Sequence, residues 1–409
     1  MASSGQQQSL RIRDLGYTPG ELPAGPTNSI LDVPGVHVSQ HTVPTSDDLP
    51  EGSTAKKGCT IISARSPKDW YKPCHASTFT FNGNGELTGS QNIADWGFIN
   101  TPIIFTNSFS VGSCMDAMWD WMMEQKKALG WDELTAARNY GSPVVGETCD
   151  WWINSEVEKT RLDRPAILET FSQLKSKEEG GSVQEGQAGG GASMTCHHFT
   201  GGTGTASRVI QGSEGKTYTL GALVQSNYGV RLDLHIGGVP VGKILAKEAE
   251  ARGDTGAKRF QIADEQQKVK DGSILILIMT DAPLATHNLN RLARHATVGL
   301  TSVGGHGVGR NFSGDIFLAV STADIGTQAL EHATLGRQRF NPTETNAIES
   351  VKNESIDTYF YACAEAVEEA ILNSMVASRE GTVGMNGDKV EGFDVKRVQQ
   401  ILDQYLVKV

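Results

Sequence analysis

The chain has 409 residues and a net charge of −11, and no basic stripe interrupts that acidity. This excludes nucleic acid as its main partner, because phosphate binding needs clustered lysine and arginine. Apolar residues make up 38% and charged residues 20%, enough for a packed core under a polar surface, while 46 glycines argue against a helical bundle.

In chain order, residues 1–16 are polar and lack the apolar core of a signal peptide, so a mobile start is expected. Short β-branched or aromatic runs at 59–63, 77–82 and 102–107, each bounded by turn residues, predict strands. Helical spacing of Met118, Trp121 and Met122 predicts a helix over 113–129, and a second helix is predicted over 155–174. Residues 175–191, rich in Lys, Glu, Gly and Gln, read as an exposed loop. A strand is predicted at 218–226, followed by a charged segment over 248–271 that starts as a helix and becomes solvated. The run 273–280 predicts a buried strand, 284–296 a helix and 316–321 another strand. A long amphipathic helix is expected over 355–378, and Asp394 as the N-cap of a final helix with Val395, Val398, Leu402 and Tyr405 on its apolar face. Strands and helices in mixed order, without regular alternation or a repeat, predict a layered α+β fold with no break into two domains. No apolar stretch is long enough to span a bilayer. Six scattered cysteines without a C-x-x-C pair fit a reduced, cytoplasmic protein.

Taken alone, Asp271-Gly272-Ser273 ahead of an apolar run is a tight turn feeding a strand. It also has a chemical reading. Glycine leaves the preceding carbonyl unshielded and tolerates strained dihedrals, so the Ser273 hydroxyl could attack it in an N-to-O acyl shift. Water would then release a residue carrying both a nucleophilic hydroxyl and an α-amine base, whose reference pKa is about 7.7–8.0.

Several further motifs occur in one order: Asn28-Ser29-Ile30-Leu31-Asp32-Val33-Pro34-Gly35-Val36, Phe81-Asn82-Gly83-Asn84-Gly85-Glu86-Leu87-Thr88-Gly89, Pro143-Val144-Val145-Gly146-Glu147-Thr148, Gly201 to Arg208, and Val224-Gln225-Ser226-Asn227-Tyr228-Gly229. With the Gly272-Ser273 strand and its Thr280-Asp281-Ala282-Pro283-Leu284 tail, they resemble the L-aminopeptidase/D-esterase family of N-terminal-nucleophile hydrolases, which includes the β-peptidyl aminopeptidases. The resemblance implies an αββα sandwich, one unit over 1–409, self-cleaved between Gly272 and Ser273 into 1–272 and 273–409. It implies Ser273 as nucleophile, Asn227 as oxyanion-hole donor, and Ser313 and Asp315 as residues orienting the nucleophile or its amine. It also implies short peptides, amides or esters as substrates and a homo-oligomer, commonly a tetramer, with no metal or organic cofactor.

Glu147 is a candidate for the substrate amine. Cys149 stands where the family commonly carries an aromatic residue, and Trp151-Trp152 replaces a glycine and a smaller aromatic, so Cys149 and Trp151 are candidate substrate-binding positions. These departures leave open an acyltransferase or cyclase using the same acyl-enzyme. An uncleaved, inactive binding protein is a further alternative. The stretch 304–310 before Ser313 is also altered, and it lacks the strand-to-helix context of a dinucleotide loop. Cys196-His197-His198, without a second paired cluster, fits a structural metal poorly.

Overall fold

The computed structural model describes residues 10–133, 141–253, 272–304, 311–325, 345, 347–384, 387 and 389–407. The first half supplies β1 (His37–Val43), β2 (Lys57–Ser63), β3 (Cys74–Gly83), α1 (Ser90–Trp96), β4 (Phe98–Ile99), β5 (Ile103–Asn107), α2 (Val111–Ala128), β6 (Val144–Thr148) and α3 (Arg164–Ser172). The second half adds β7 (Thr195–Cys196), β8 (Phe199–Thr200), β9 (Gly202–Gln211), β10 (Thr217–Asn227), α4 (Val241–Ala251), β11 (Ser273–Thr280) and α5 (Thr286–Gly304). Then come β12 (Gly314–Ser321), α6 (Asp357–Val376), the paired β13 (Thr382–Val383) and β14 (Lys389–Val390), and α7 (Val395–Tyr405).

The strands form a four-stranded sheet, β1-β2-β5-β6, and a six-stranded sheet, β4-β3-β12-β11-β10-β9. The layering follows from side-chain alternation along β11. Ile274, Ile276 and Ile278 pack with Leu289 and Leu292 of α5 and Val367 and Ile371 of α6. Leu275, Leu277 and Met279 face the other way and meet Ile62, Ile103 and Phe105 of the four-stranded sheet. That sheet turns Ile61, Ile104 and Val145 outward against Trp121 of α2 and Phe171 of α3, whose rings stack at 4.6 Å. The order helix, sheet, sheet, helix is the αββα sandwich expected from the sequence. It explains why β11 is apolar at every position from Ile274 to Met279: both of its faces are covered.

Several expectations are corrected. The helix predicted over 155–174 is shorter, because Pro165 lies in the first turn of α3, where a missing N–H is harmless, and would break a helix begun at 155. A 3₁₀ turn, Val157–Thr160, precedes it. Helix α5 runs on to Gly304, past the expected end at 296. Strand β9, rich in Gly, Thr and Ser, was not foreseen as a strand. The exposed loop expected over 175–191 dives inward at its end. Gly189–Gly191 is a buried 3₁₀ turn, and a Cβ on Gly190 would lie 2.4 Å from the Phe105 carbonyl oxygen, so residues without side chains fill this narrow passage.

Residues 1–9 of the expected mobile start lie outside the described residues, and from Arg11 onward the chain is anchored. Arg11 pairs with Glu185 at 2.8 Å, and Ile12 and Leu15 are buried in the core. Asp394 caps α7 as expected, its carboxylate accepting from the Arg397 N–H at 3.0 Å, but Tyr405 is exposed and Ile401 takes the buried position. The charged segment expected over 248–271 begins within α4, and its part 254–271 lies outside the described residues, as does 305–310 of the altered glycine-rich stretch.

Candidate active site

One end of the sandwich gathers the candidate residues, because β10 ends where β11 and β12 begin. Asn227 of β10 stands opposite Ser273 in antiparallel register, and Gly314 of β12 is its partner in parallel register. Alternation places Ser273 and Asn227 on the inter-sheet face, with Leu275 and Leu223. Ser273 is buried, and its Oγ accepts a hydrogen bond of 3.2 Å from the Gly314 N–H.

Gly272 is needed here for space. A Cβ at this position would sit 2.0 Å from the Asn227 carbonyl oxygen and 2.3 Å from Tyr228 Cα. Its φ is outside the left-handed region, so the strained dihedral considered from the sequence is not the reason for glycine.

The Asn227 amide is oriented by two backbone groups that each play one role only. Its Oδ1 accepts from the Thr195 N–H at 2.9 Å, and its Nδ2 donates to the Cys149 carbonyl at 2.8 Å. An N–H cannot accept and a carbonyl cannot donate, so the amide has a single orientation, and the second Nδ2 hydrogen keeps a fixed direction. A buried donor that does not reorient is the kind of group that stabilises a developing oxyanion.

Ser313 and Asp315 flank Gly314 and are both fully buried. The Ser313 hydroxyl donates to Asp315 Oδ1 at 2.7 Å. By alternation along β12, Asp315 lies on the face of Phe317 and Ala319, toward α5 and α6. The pair therefore borders Ser273 through Gly314. Tyr228 lies in the same layer, and burial followed by the charges of Cys196 and Asp315 pushes its phenol well up.

The loop after β3 closes over Gly314. A Cβ on Gly314 would lie 2.5 Å from the Asn84 carbonyl, and one on Gly85 would lie 3.3 Å from Gly314 Cα and 3.4 Å from Glu147 Oε1. Gly85 thus sits between the backbone partner of Ser273 and the Glu147 carboxylate. Glu147 accepts from the Glu86 N–H at 3.1 Å and from the Ser108 hydroxyl. Cys149 is half-buried and unbridged, and Trp151 is exposed with its ring 5.9 Å from that of Phe109.

The profile of Peptidase family S58 matches residues 28–390. The chain belongs to this family. The β-peptidyl aminopeptidase BapA of Sphingosinicella microcystinivorans is 33% identical to it over 409 residues, covering 99% of this chain and 95% of that protein. A solved β-aminopeptidase from Burkholderia sp. superposes with a TM-score of 0.77 at 36% identity, covering 98% of this chain and 100% of the other. The L-aminopeptidase D-Ala-esterase/amidase of Ochrobactrum anthropi, a serine aminopeptidase with a variant Ntn-hydrolase fold, superposes with a TM-score of 0.79 at 34% identity, covering 97% and 98%. This S58 protein is a serine aminopeptidase/amidase with the Ntn-hydrolase fold.

Two groups of this S58 site were missed in the sequence, and both act through the backbone. The Gly314 N–H lies between two residues singled out for their side chains, and Thr195 adjoins the Cys196-His197-His198 string considered for a metal. His197 has another place here. It has a left-handed φ of 49°, its N–H donates to the Tyr228 carbonyl at 2.8 Å, and its Nδ1 is 2.9 Å from the Val230 carbonyl. Its ring fills the space a Cβ on Gly229 would need, beside that glycine's left-handed φ of 88°, so it braces the turn just after Asn227. Burial holds the imidazole down at about 4, only partly opposed by the Val230 hydrogen bond.

Proposed function

We propose that Ser273 is the nucleophile, freed as a new N-terminus by attack on its own preceding carbonyl. Oγ bonds to the Gly272 carbonyl carbon, the C–N bond breaks and the departing nitrogen takes the proton. Water then cleaves the ester, leaving a Gly272 carboxylate and a Ser273 α-amine, with 1–272 and 273–409 as one folded unit. The observation carrying this reading is the placement of the Ser273 hydroxyl beside an Asn227 amide of fixed orientation.

In turnover the α-amine accepts the Oγ proton as Oγ attacks a substrate amide or ester. The oxyanion is received by the second Nδ2 hydrogen of Asn227, the leaving amine takes the proton, and water hydrolyses the Ser273 ester. The Ser313–Asp315 pair orients the amine from beside Gly314. Glu147 receives the substrate's ammonium, since its carboxylate is held in place beside Gly85. Trp151 borders the substrate's side chain, supported by its exposed ring against Phe109. Cys149 serves through its carbonyl, which leaves its side chain free to differ from the family's aromatic.

The substrates are short peptides, amides or esters with a free N-terminal amine, including the β-peptides named for the relatives. Six unbridged cysteines support a cytoplasmic setting, and the family resemblance supports a homo-oligomer, for which light scattering is expected to give the mass of a tetramer. The test of mechanism is acid quenching during turnover of an alanine ester. The alanyl mass is expected on the peptide that starts at Ser273, and its presence on any other residue overturns the assignment.

A further inference from the structure

A second polar feature lies at the same end of the sandwich. Strand β2 runs antiparallel to β5, and the Thr106 hydroxyl donates to the Gly58 carbonyl at 2.9 Å, so the start of β2 is level with the ends of β5 and β6. Just before β2, Lys56 borders a cavity of about 560 Å³, together with Thr54, Ser193, Thr200 and Arg379. Three of the lining hydroxyls donate to backbone carbonyls: Thr54 to Ile153, Ser193 to Lys56 and Thr200 to Ser378, at 2.5, 3.1 and 2.9 Å. Half-buried Lys56 and exposed Arg379 are the basic residues of this lining. The Lys56 ammonium has no ion-pair partner among the described residues. Burial lowers its pKa, and the charge of exposed Glu380, which also lines the cavity, only partly opposes this.

The position of Lys56 is tied rigidly to the oxyanion residue. Asn227 bonds the Cys149 carbonyl, and the adjacent Asp150 accepts from Asn154 at 2.8 Å. Asn154 in turn exchanges hydrogen bonds of 3.0 and 2.8 Å with the Lys56 backbone. On the other side, Ser193 of the cavity wall is two residues from Thr195, which fixes Asn227 Oδ1. Strands β6 and β2 are two positions apart in their sheet, or about 10 Å at the usual strand spacing, and about three extended residues span that distance.

We propose that this cavity is the exit-side subsite of the enzyme, in which Lys56 binds the C-terminal carboxylate of a leaving peptide about three residues long. Free acids are thereby preferred over C-terminal amides. The inference rests on the aminopeptidase reading and adds the class of leaving group.

The test is calorimetric titration of the processed enzyme with N-acetyl-trialanine and with N-acetyl-trialanine amide, which lack the free N-terminal amine of a substrate, so the result stands separately from the Ser273 mechanism. The free acid is expected to bind at least about tenfold more tightly than the amide, the value of one charge-assisted hydrogen bond. Lys56→Gln is expected to erase that difference at an unchanged melting temperature, and Lys56→Arg to keep most of it. Equal binding of acid and amide by the wild type, or a difference that survives in Lys56→Gln, overturns the proposal.

Discussion

Replacing Gly272 with alanine tests the closest approach in the site. The added Cβ would start 2.0 Å from the Asn227 carbonyl oxygen, whereas Cβ atoms do not come within 3.0 Å of such atoms, so the two strand ends must part by about 1 Å. Because φ at Gly272 is outside the left-handed region, alanine has no dihedral strain there, and the contact alone carries the effect. Overpacking of this kind costs about 1–3 kcal/mol. The larger consequence is geometric, since the displaced groups are Asn227 and Ser273, and a misplacement of about 1 Å costs on the order of 10²-fold in rate. Processing followed over hours by denaturing mass spectrometry, with kcat on an alanyl anilide, is the assay. Slowed cleavage and a kcat lowered by about 10²-fold are expected. Cleavage and kcat within about threefold of wild type would refute the packing argument.

Three other predictions follow from the same geometry. Asn227→Ala should lower kcat by about 10²–10³-fold with little change in KM, read from steady-state kinetics on the processed enzyme. Cys149 is the one cysteine that is not buried, so the native protein should take up one equivalent of a thiol reagent and Cys149→Ala none. Burial pushes Cys59 and Cys196 up to about 12, reinforcing their inertness. His197 is held down at about 4 against an ordinary 6.5, so the unfolded chain binds its proton first and stability falls as pH drops from 6.5 toward 4. The loss is on the order of 3 kcal/mol. His197→Asn, which tolerates the left-handed φ, should flatten the urea-denaturation difference between pH 7.5 and 4.5.

Strand β11 was legible because its alternate residues are all apolar and both of its faces are covered. Asp394 was legible as a cap because its side chain acts on the backbone three residues ahead. Strand β9 was not, because its glycines, Ala206 and Ser207 dilute the β-branched signal of Thr203 and Thr205, and the neighbouring β10 supplies the hydrogen bonds. At the site, Ser273 and Asn227 came from the family resemblance, since nothing local shows that two residues so far apart face each other. The Gly314 N–H and the Thr195 N–H stayed invisible, because a backbone donor has the same chemistry at almost every position. Cys149 shows the same limit: its departure from the family suggested an altered site, while the structure uses its carbonyl, which any residue supplies.

The most direct measurement is the mass of the active protein under denaturing conditions. The account predicts two fragments, one beginning at Ser273, and a single chain of 43.9 kDa for Ser273→Ala. An active preparation consisting only of the intact chain would contradict it.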